Sequence, residues 1–152
     1  MPGDWPEVSG LLAELGRPDV RGGEKEAPAR DAFERYLSRP DVHAFVAELD
    51  GRVVGFVNVE LRARLNFTTP EAWIPELIVA EAARSKGVGA ALLARCEEIA
   101  RGHDCWSLSL ESANWRDRAH AFYIREGWED LAHAFVKVLA DVDWPPKPPD
   151  DK

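Results

Sequence analysis

Long apolar runs are missing from this sequence: nothing in it approaches the roughly 20 residues that a bilayer-spanning helix requires, so no membrane role is expected. Cysteine is scarce. Cys96 and Cys105 have neither a metal-ligand spacing nor the density of a disulfide scaffold, and their apolar neighbours read as core filling. Positive charge is short as well, with 19 Lys and Arg against 27 Asp and Glu, a formal net charge of -8. That balance runs against nucleic acid, whose binding needs clustered cations to displace counterions. The four histidines, His43, His103, His120 and His133, form no metal spacing, and none stands beside Ser or Cys in a nucleophile motif. Asp4 and Glu7 occupy the start, where a signal peptide would place a basic segment and then an apolar one, so the cytoplasm is the expected compartment. No internal repeat is present. What remains is ordinary for a soluble globular chain: 152 residues, 45% hydrophobic and 30% charged. That length buries about two thirds of the surface of the unfolded form. The acidic balance suits a cationic small substrate, and equally it serves solubility.

The element pattern is mixed. Asp4-Trp5-Pro6-Glu7, then Val8, Leu11, Leu12 and Leu15 at helical spacing and Gly16 as a stop, predicts a first helix. Residues 17–27, rich in Gly, Pro and charge, predict a mobile loop, and residues 29–38 a second helix that aligns Phe33, Tyr36 and Leu37 before Pro40. Residues 42–49 and 53–61, joined by Asp50-Gly51, read as a hairpin of antiparallel strands. Residues 73–79 predict a third strand, bulged or splayed at Pro75, which has no amide for the ladder. A helix over 87–100, a buried strand over 106–110 and a helix over 114–125 capped by Gly127 follow. Trp128 and residues 134–139 are expected to add the last strands, and the proline-rich residues 144–152 an extended tail beyond a single domain of residues 1–143.

The junction between the third strand and the next helix is the most informative segment. Arg84-x-x-Gly87-x-Gly89, opening into Ala90, Ala91, Leu92 and Leu93, aims unpaired helix amides at one point in space. The helix dipole favours an anion there, the two glycines permit close approach, and Arg84 and Lys86 add charge at the rim. Taken alone, Gly-x-Gly also fits a helix-packing pair or a dinucleotide loop.

With this order of elements, the chain resembles the GNAT superfamily of acetyl-coenzyme A-dependent N-acetyltransferases. Leu77-Ile78-Val79-Ala80-Glu81-Ala82-Ala83-Arg84-Ser85-Lys86-Gly87-Val88-Gly89-Ala90 looks like the family's cofactor-binding signature. Asn114-x-Arg116-x-x-Ala119-His120-x-Phe122-Tyr123-x-x-x-Gly127-Trp128 is similar to its second cofactor helix and aromatic turn. The resemblance implies an α/β (α+β) fold with a mixed, mostly antiparallel sheet flanked by helices and splayed at the cofactor strand. It departs at the start, where Met1-Pro2-Gly3 leaves almost no room for the family's first strand. A shorter sheet edge, an edge filled by a partner such as a second copy in a homodimer, and a late start all stay open.

The resemblance implies that acetyl-coenzyme A binds along Leu77, Ile78 and Val79 through its pantetheine amides, with its diphosphate on residues 84–90. Asn114 would bond the pantetheine or cap its own helix, and the two roles are compatible. An amine with a pKa near 10.4 is neutral in only about one molecule per thousand at pH 7, so a base beside the acetyl group is useful. Glu76 is the candidate, acting directly or through water, and Glu60 on the neighbouring strand competes for the role or for substrate binding. Glu111 and Trp73 are candidate lining residues of the acceptor cleft. Tyr123 matches the family position that protonates the leaving thiolate. Direct transfer is the simpler mechanism, with no metal. The acidic residues Asp19, Glu24, Glu26 and Asp31 in or near the first loop fit a polycationic acceptor, and the small build looks like that of aminoglycoside N-acetyltransferases, which act in antibiotic resistance. Peptide or protein N-acetylation is the nearest enzymatic alternative, and a non-catalytic acyl-coenzyme A sensor the alternative outside catalysis.

Overall fold

The computed structural model describes residues 2–142, and the tail expected over 144–152 lies outside the described residues. Those residues fall into two compact units divided between Leu110 and Glu111.

In the first unit, helix α1 (Trp5–Glu14) starts behind a short 3-10 turn with Pro6 in its first turn, and it buries Trp5, Val8, Ser9 and Leu11. Asp4 occupies the N-cap position, but its side chain makes no capping bond. Helix α2 (Glu26–Leu37) begins three residues before the expected start, with Pro28 accommodated in the first turn, where a missing N–H costs nothing. Strands β1 (Val42–Leu49) and β2 (Arg52–Arg62) form the hairpin, and Asp50 and Gly51 take φ of 52° and 75° at its tip.

The third strand is broken in two. Strands β3 (Glu71–Ile74) and β4 (Leu77–Val79) both pair antiparallel with β2, Trp73 opposite Glu60 and Leu77 opposite Val57. Three steps along β2 therefore oppose four along β3–β4, a one-residue bulge at Pro75-Glu76. Helix α3 (Val88–Gly102) then leads to the short strand β5 (Leu108–Leu110), which runs parallel to β3. The sheet order is β1-β2-β3-β5, and β4 pairs with β2 alone among the described strands. One side of Leu77, Ile78 and Val79 is thus without a strand neighbour, the splay expected at Pro75.

Alternation along β2 distributes its residues between two layers. Phe56 joins Val8, Leu11 and Ile78 in a core with Phe33, Ala44 and Val46, beneath α1 and α2. Gly55 faces α3, where a Cβ would lie 3.0 Å from Leu92 Cδ1 and Val88 Cγ1, so glycine there lets the helix sit directly on the sheet. Cys96 is fully buried on the same helix, in keeping with core filling.

In the second unit, helix α4 (Asp117–Arg125) is followed by Gly127 at φ 90°, and Trp128 packs on Tyr123 with centroids 5.9 Å apart. Two strand expectations need correction. Strand β5 begins at Leu108, not Trp106, and is only half-buried, while the exposed Trp106 ring stacks on Phe67 at 4.1 Å. Trp128 and residues 134–139 are irregular rather than extended in a sheet. Their apolar alternation has no ladder partner among the described residues, and Phe135 and Leu139 are 95% and 88% exposed.

Candidate active site

The bulge at Pro75-Glu76 interrupts the ladder, and Asn58 closes the gap from the middle of β2. Its Oδ1 accepts the Glu76 N–H at 2.7 Å, and its own N–H donates to the Glu76 carbonyl at 3.2 Å. The Asn58 Nδ2 donates to Glu76 Oε2 at 2.6 Å and to the Tyr36 hydroxyl at 3.0 Å. Arg17, on the connection between α1 and α2, reaches the other carboxylate oxygen, Glu76 Oε1, at 3.3 Å. Glu76 is fixed at both ends, yet its side chain remains 22% exposed.

Glu60 lies two residues further along β2 on the same face, with Arg39 Nη2 3.7 Å from its Oε2. Burial pushes the Tyr36 phenol above its usual range, and the hydrogen bond and charge of Glu60 push it the same way. Tyr36 therefore stays protonated at neutral pH, a neutral hydroxyl with its one proton toward Glu60. These groups share the floor of a cavity of about 500 Å³, walled by Phe33, Phe56, Trp73 and Pro75 and roofed by Trp5 and Leu12 of α1. Trp73, beneath Arg62 at 4.5 Å, does line this cleft with Glu60 and Glu76.

On the far side of β4, the chain forms a 3-10 turn (Glu81–Ala83), leaves it extended at Arg84, and turns left-handed at Ser85 and Gly87. Gly87 is the N-cap of α3 at φ 78°, and no side chain caps that helix. Ala91 N–H bonds the Gly87 carbonyl, leaving the amides of the first turn, Val88, Gly89 and Ala90, for a ligand. Arg84, Ser85, Lys86 and Gly87 are exposed. Lys86 also borders a second cavity of about 340 Å³ with Asp50 and Arg52. An uncapped helix start without Cβ obstruction, beside a strand with one side unoccupied, fits a diphosphate-bearing donor with an amide-containing arm.

In the second unit, Glu111 is exposed immediately after β5, and Asn114 is exposed in the turn before α4. Burial raises the Tyr123 phenol, partly opposed by Arg116, and Phe122 and Trp128 flank its ring.

Sequence reading missed three members of the first unit's network: Asn58, Tyr36 and Arg17. Only Asn58 carried a signal, since a polar residue between Val57 and Val59 is poorly suited to a strand interior without a structural task.

Comparison with known proteins agrees with this geometry. The profile of the Acetyltransferase (GNAT) family matches residues 10–128. An aminoalkylphosphonate N-acetyltransferase of Salmonella typhimurium is 34% identical over 136 residues, spanning 90% of this chain and 86% of that one. A solved structure from Agrobacterium tumefaciens, assigned as an acetyltransferase, superposes with a TM-score of 0.80 at 26% identity, covering 91% of this chain and 96% of the other. AAC(6')-Iy, in complex with a bisubstrate analogue of coenzyme A and acetylneamine, shares the fold at 18% identity and a TM-score of 0.72, covering 91% and 92%. The chain belongs to the GNAT acetyltransferase family. It is an N-acetyltransferase whose donor is acetyl-coenzyme A.

Proposed function

We propose that this enzyme acetylates the primary amine of a small acceptor seated in the cavity between α1, α2 and the sheet, with Glu76 as the general base. The observation that carries this reading is the placement of Glu76: its carboxylate is held by Asn58 at the ladder break, on the cavity floor, directly before the one-sided strand β4. The family donor supplies an activated acetyl group; the chain supplies position and proton transfer. Leu77, Ile78 and Val79 hold the amide-bearing arm and residues 84–90 the diphosphate. Glu76 accepts the ammonium proton, directly or through water; Asn114 and Tyr123 of the second unit are proposed as donor contact and thiolate acid on their match to the family motif alone. Glu60 and Tyr36 orient the amine.

The cysteines support direct transfer over a relay on the enzyme. Burial pushes the Cys96 thiol up to about 12, and burial with the Asp104 charge raises Cys105, so neither offers a thiolate near neutral pH.

The acceptor is best read as a small amine rather than a polycation. Asp19 is lowered to about 2 by its pairing with Arg21 at 2.6 Å, and Glu26 accepts the Gly22 N–H at 2.8 Å. Asp19, Glu24, Glu26 and Asp31 are all absent from the cavity lining. The aminoalkylphosphonate relative supports a short aminoalkyl chain, while the aminoglycoside-modifying neighbour contributes only a shared fold. Thiol release from acetyl-coenzyme A against a panel of short amines, aminoglycosides and peptides tests the reading. Turnover confined to the short amines is expected; turnover confined to aminoglycosides or peptides, or none, refutes it.

A further inference from the structure

We infer that Arg62, which does not itself line the cavity, is the positioning residue for one of its walls: its guanidinium, held by the buried carboxylate of Glu71, fixes the indole of Trp73 where an acceptor packs. This rests on the reading of the cavity as the acceptor site. Four side chains on one face of the sheet make the device. Glu60 and Arg62 stand two apart on β2, Glu71 and Trp73 two apart on β3, and the register sets Glu60 opposite Trp73 and Arg62 opposite Glu71. Arg62 Nη2 lies 3.0 Å from Glu71 Oε1, and the guanidinium reaches diagonally, so that its Cζ sits 4.5 Å from the centroid of the Trp73 ring. Of the four, Glu60 and Trp73 line the cavity, whereas Arg62 and Glu71 do not.

The wall needs such a support. Trp73 belongs to a strand of four residues and stands next but one to Pro75, where the ladder breaks. Its indole N–H is buried with no hydrogen-bond partner among the described residues, so no polar contact there sets the rotation of the ring. A guanidinium over the ring face supplies the missing constraint, since a cation is drawn to the negative face of the indole and more strongly where water is excluded. Water is excluded from part of this stack: Arg62 Nε is buried, also with no hydrogen-bond partner among the described residues. The other end of the arginine is anchored in the sheet. Glu71 is 5% exposed, and a carboxylate so deeply buried has to be paired, which in turn fixes the cation that pairs it. Arg64 Nη1, 3.5 Å from the same Glu71 oxygen, is a second partner, so Glu71 keeps a cation when Arg62 is replaced.

The test pairs fluorine NMR of protein carrying 5-fluorotryptophan with thiol-release kinetics on 2-aminoethylphosphonate and propylamine. The variants are Arg62→Met, Arg62→Lys, Trp73→Leu, and Arg62→Met combined with Trp73→Leu. Loss of one signal in Trp73→Leu identifies the Trp73 resonance among the six tryptophans. Arg62→Met should shift and broaden that resonance more than any other. It should also raise the acceptor KM about 3- to 10-fold, the range of a partly dry cation–π contact, with kcat and the KM for acetyl-coenzyme A within about twofold of wild type. Arg62→Lys, which keeps the charge but not the planar stack, should recover part of both effects. In the Trp73→Leu background, Arg62→Met should leave the acceptor KM where it was, because no ring remains to be held. If Trp73→Leu raises the acceptor KM and Arg62→Met does not, the inference is overturned and the acceptor-site reading stands. If Arg62→Met lowers kcat or weakens acetyl-coenzyme A to the same degree, or acts equally with and without Trp73, the ion pair is merely structural and the inference is overturned as well. If Trp73→Leu leaves the KM of both amines unchanged, or the wild type consumes neither, the acceptor-site reading falls and the inference falls with it.

Discussion

Replacing Asn58 by Leu removes hydrogen bonds without greatly changing volume, and it is the sharpest probe of how the strand break is held. Asn58 is 3% exposed, and its side chain satisfies the Glu76 N–H, one Glu76 carboxylate oxygen and the Tyr36 hydroxyl, at 2.7, 2.6 and 3.0 Å. Leucine leaves the Glu76 N–H without that acceptor at a position the ladder cannot supply, and it sets an apolar side chain against a carboxylate. A stranded backbone donor costs about 1–3 kcal/mol, and losing the charge-assisted bond adds a comparable amount discounted for the partial exposure of Glu76, so about 2–4 kcal/mol in all is expected. For a chain of this length that corresponds to roughly 5–15 °C in Tm. Because the carboxylate also loses one of its two anchors, kcat should fall by about 10- to 100-fold while the KM for acetyl-coenzyme A changes little. Thermal denaturation followed by circular dichroism, paired with thiol-release kinetics, reads both quantities. A Tm within about 3 °C of wild type together with unchanged kcat would refute the claim that Asn58 positions Glu76.

Two further outcomes follow. Gly87→Val forces a β-branched residue to φ 78° at the start of α3, costing about 1–2 kcal/mol and raising the KM for acetyl-coenzyme A by about tenfold or more, which acceptor-saturated kinetics would detect. Burial, and then the His103 charge, hold the His43 pKa below its ordinary 6.5, so the unfolded chain binds the extra proton more readily. Stability should therefore be complete above pH 6.5 and decline as the pH falls through and below it; urea unfolding of His43→Gln should show a shallower decline, and an unchanged slope would remove His43 from the account.

Much of this architecture was legible in the chain because its signals are local. Asp50-Gly51 marks the hairpin tip, Pro75 marks the break, and Gly87 marks the start of α3; each acts through the backbone angles or missing amide of a single residue. The family resemblance pointed to Glu76 and the strand leading to it to Trp73, but alternation alone would set residues three apart on opposite faces, and it is the bulge at Pro75-Glu76 that brings both to the cavity. Arg17 and Tyr36 could not be placed there, since their roles arise from α1 and α2 packing over the sheet, 59 residues from Glu76 for the one and 22 from Asn58 for the other. The acidic loop is less readable for a related reason: Asp19 is paired with Arg21 two residues away, so a tally of charges alone does not say which of them face an acceptor. Residues 134–139 show the opposite failure, an alternating apolar pattern with no described strand to receive it.

The measurement that bears most directly on the account is the pH dependence of acetyl transfer by Glu76→Gln beside the wild type, with saturating acetyl-coenzyme A and the preferred short amine. The account predicts a loss of about 100-fold or more at neutral pH, narrowing as alkaline pH deprotonates the amine in solution, with the donor-induced rise in Tm retained. Equal rates for the two enzymes across the pH range would contradict it.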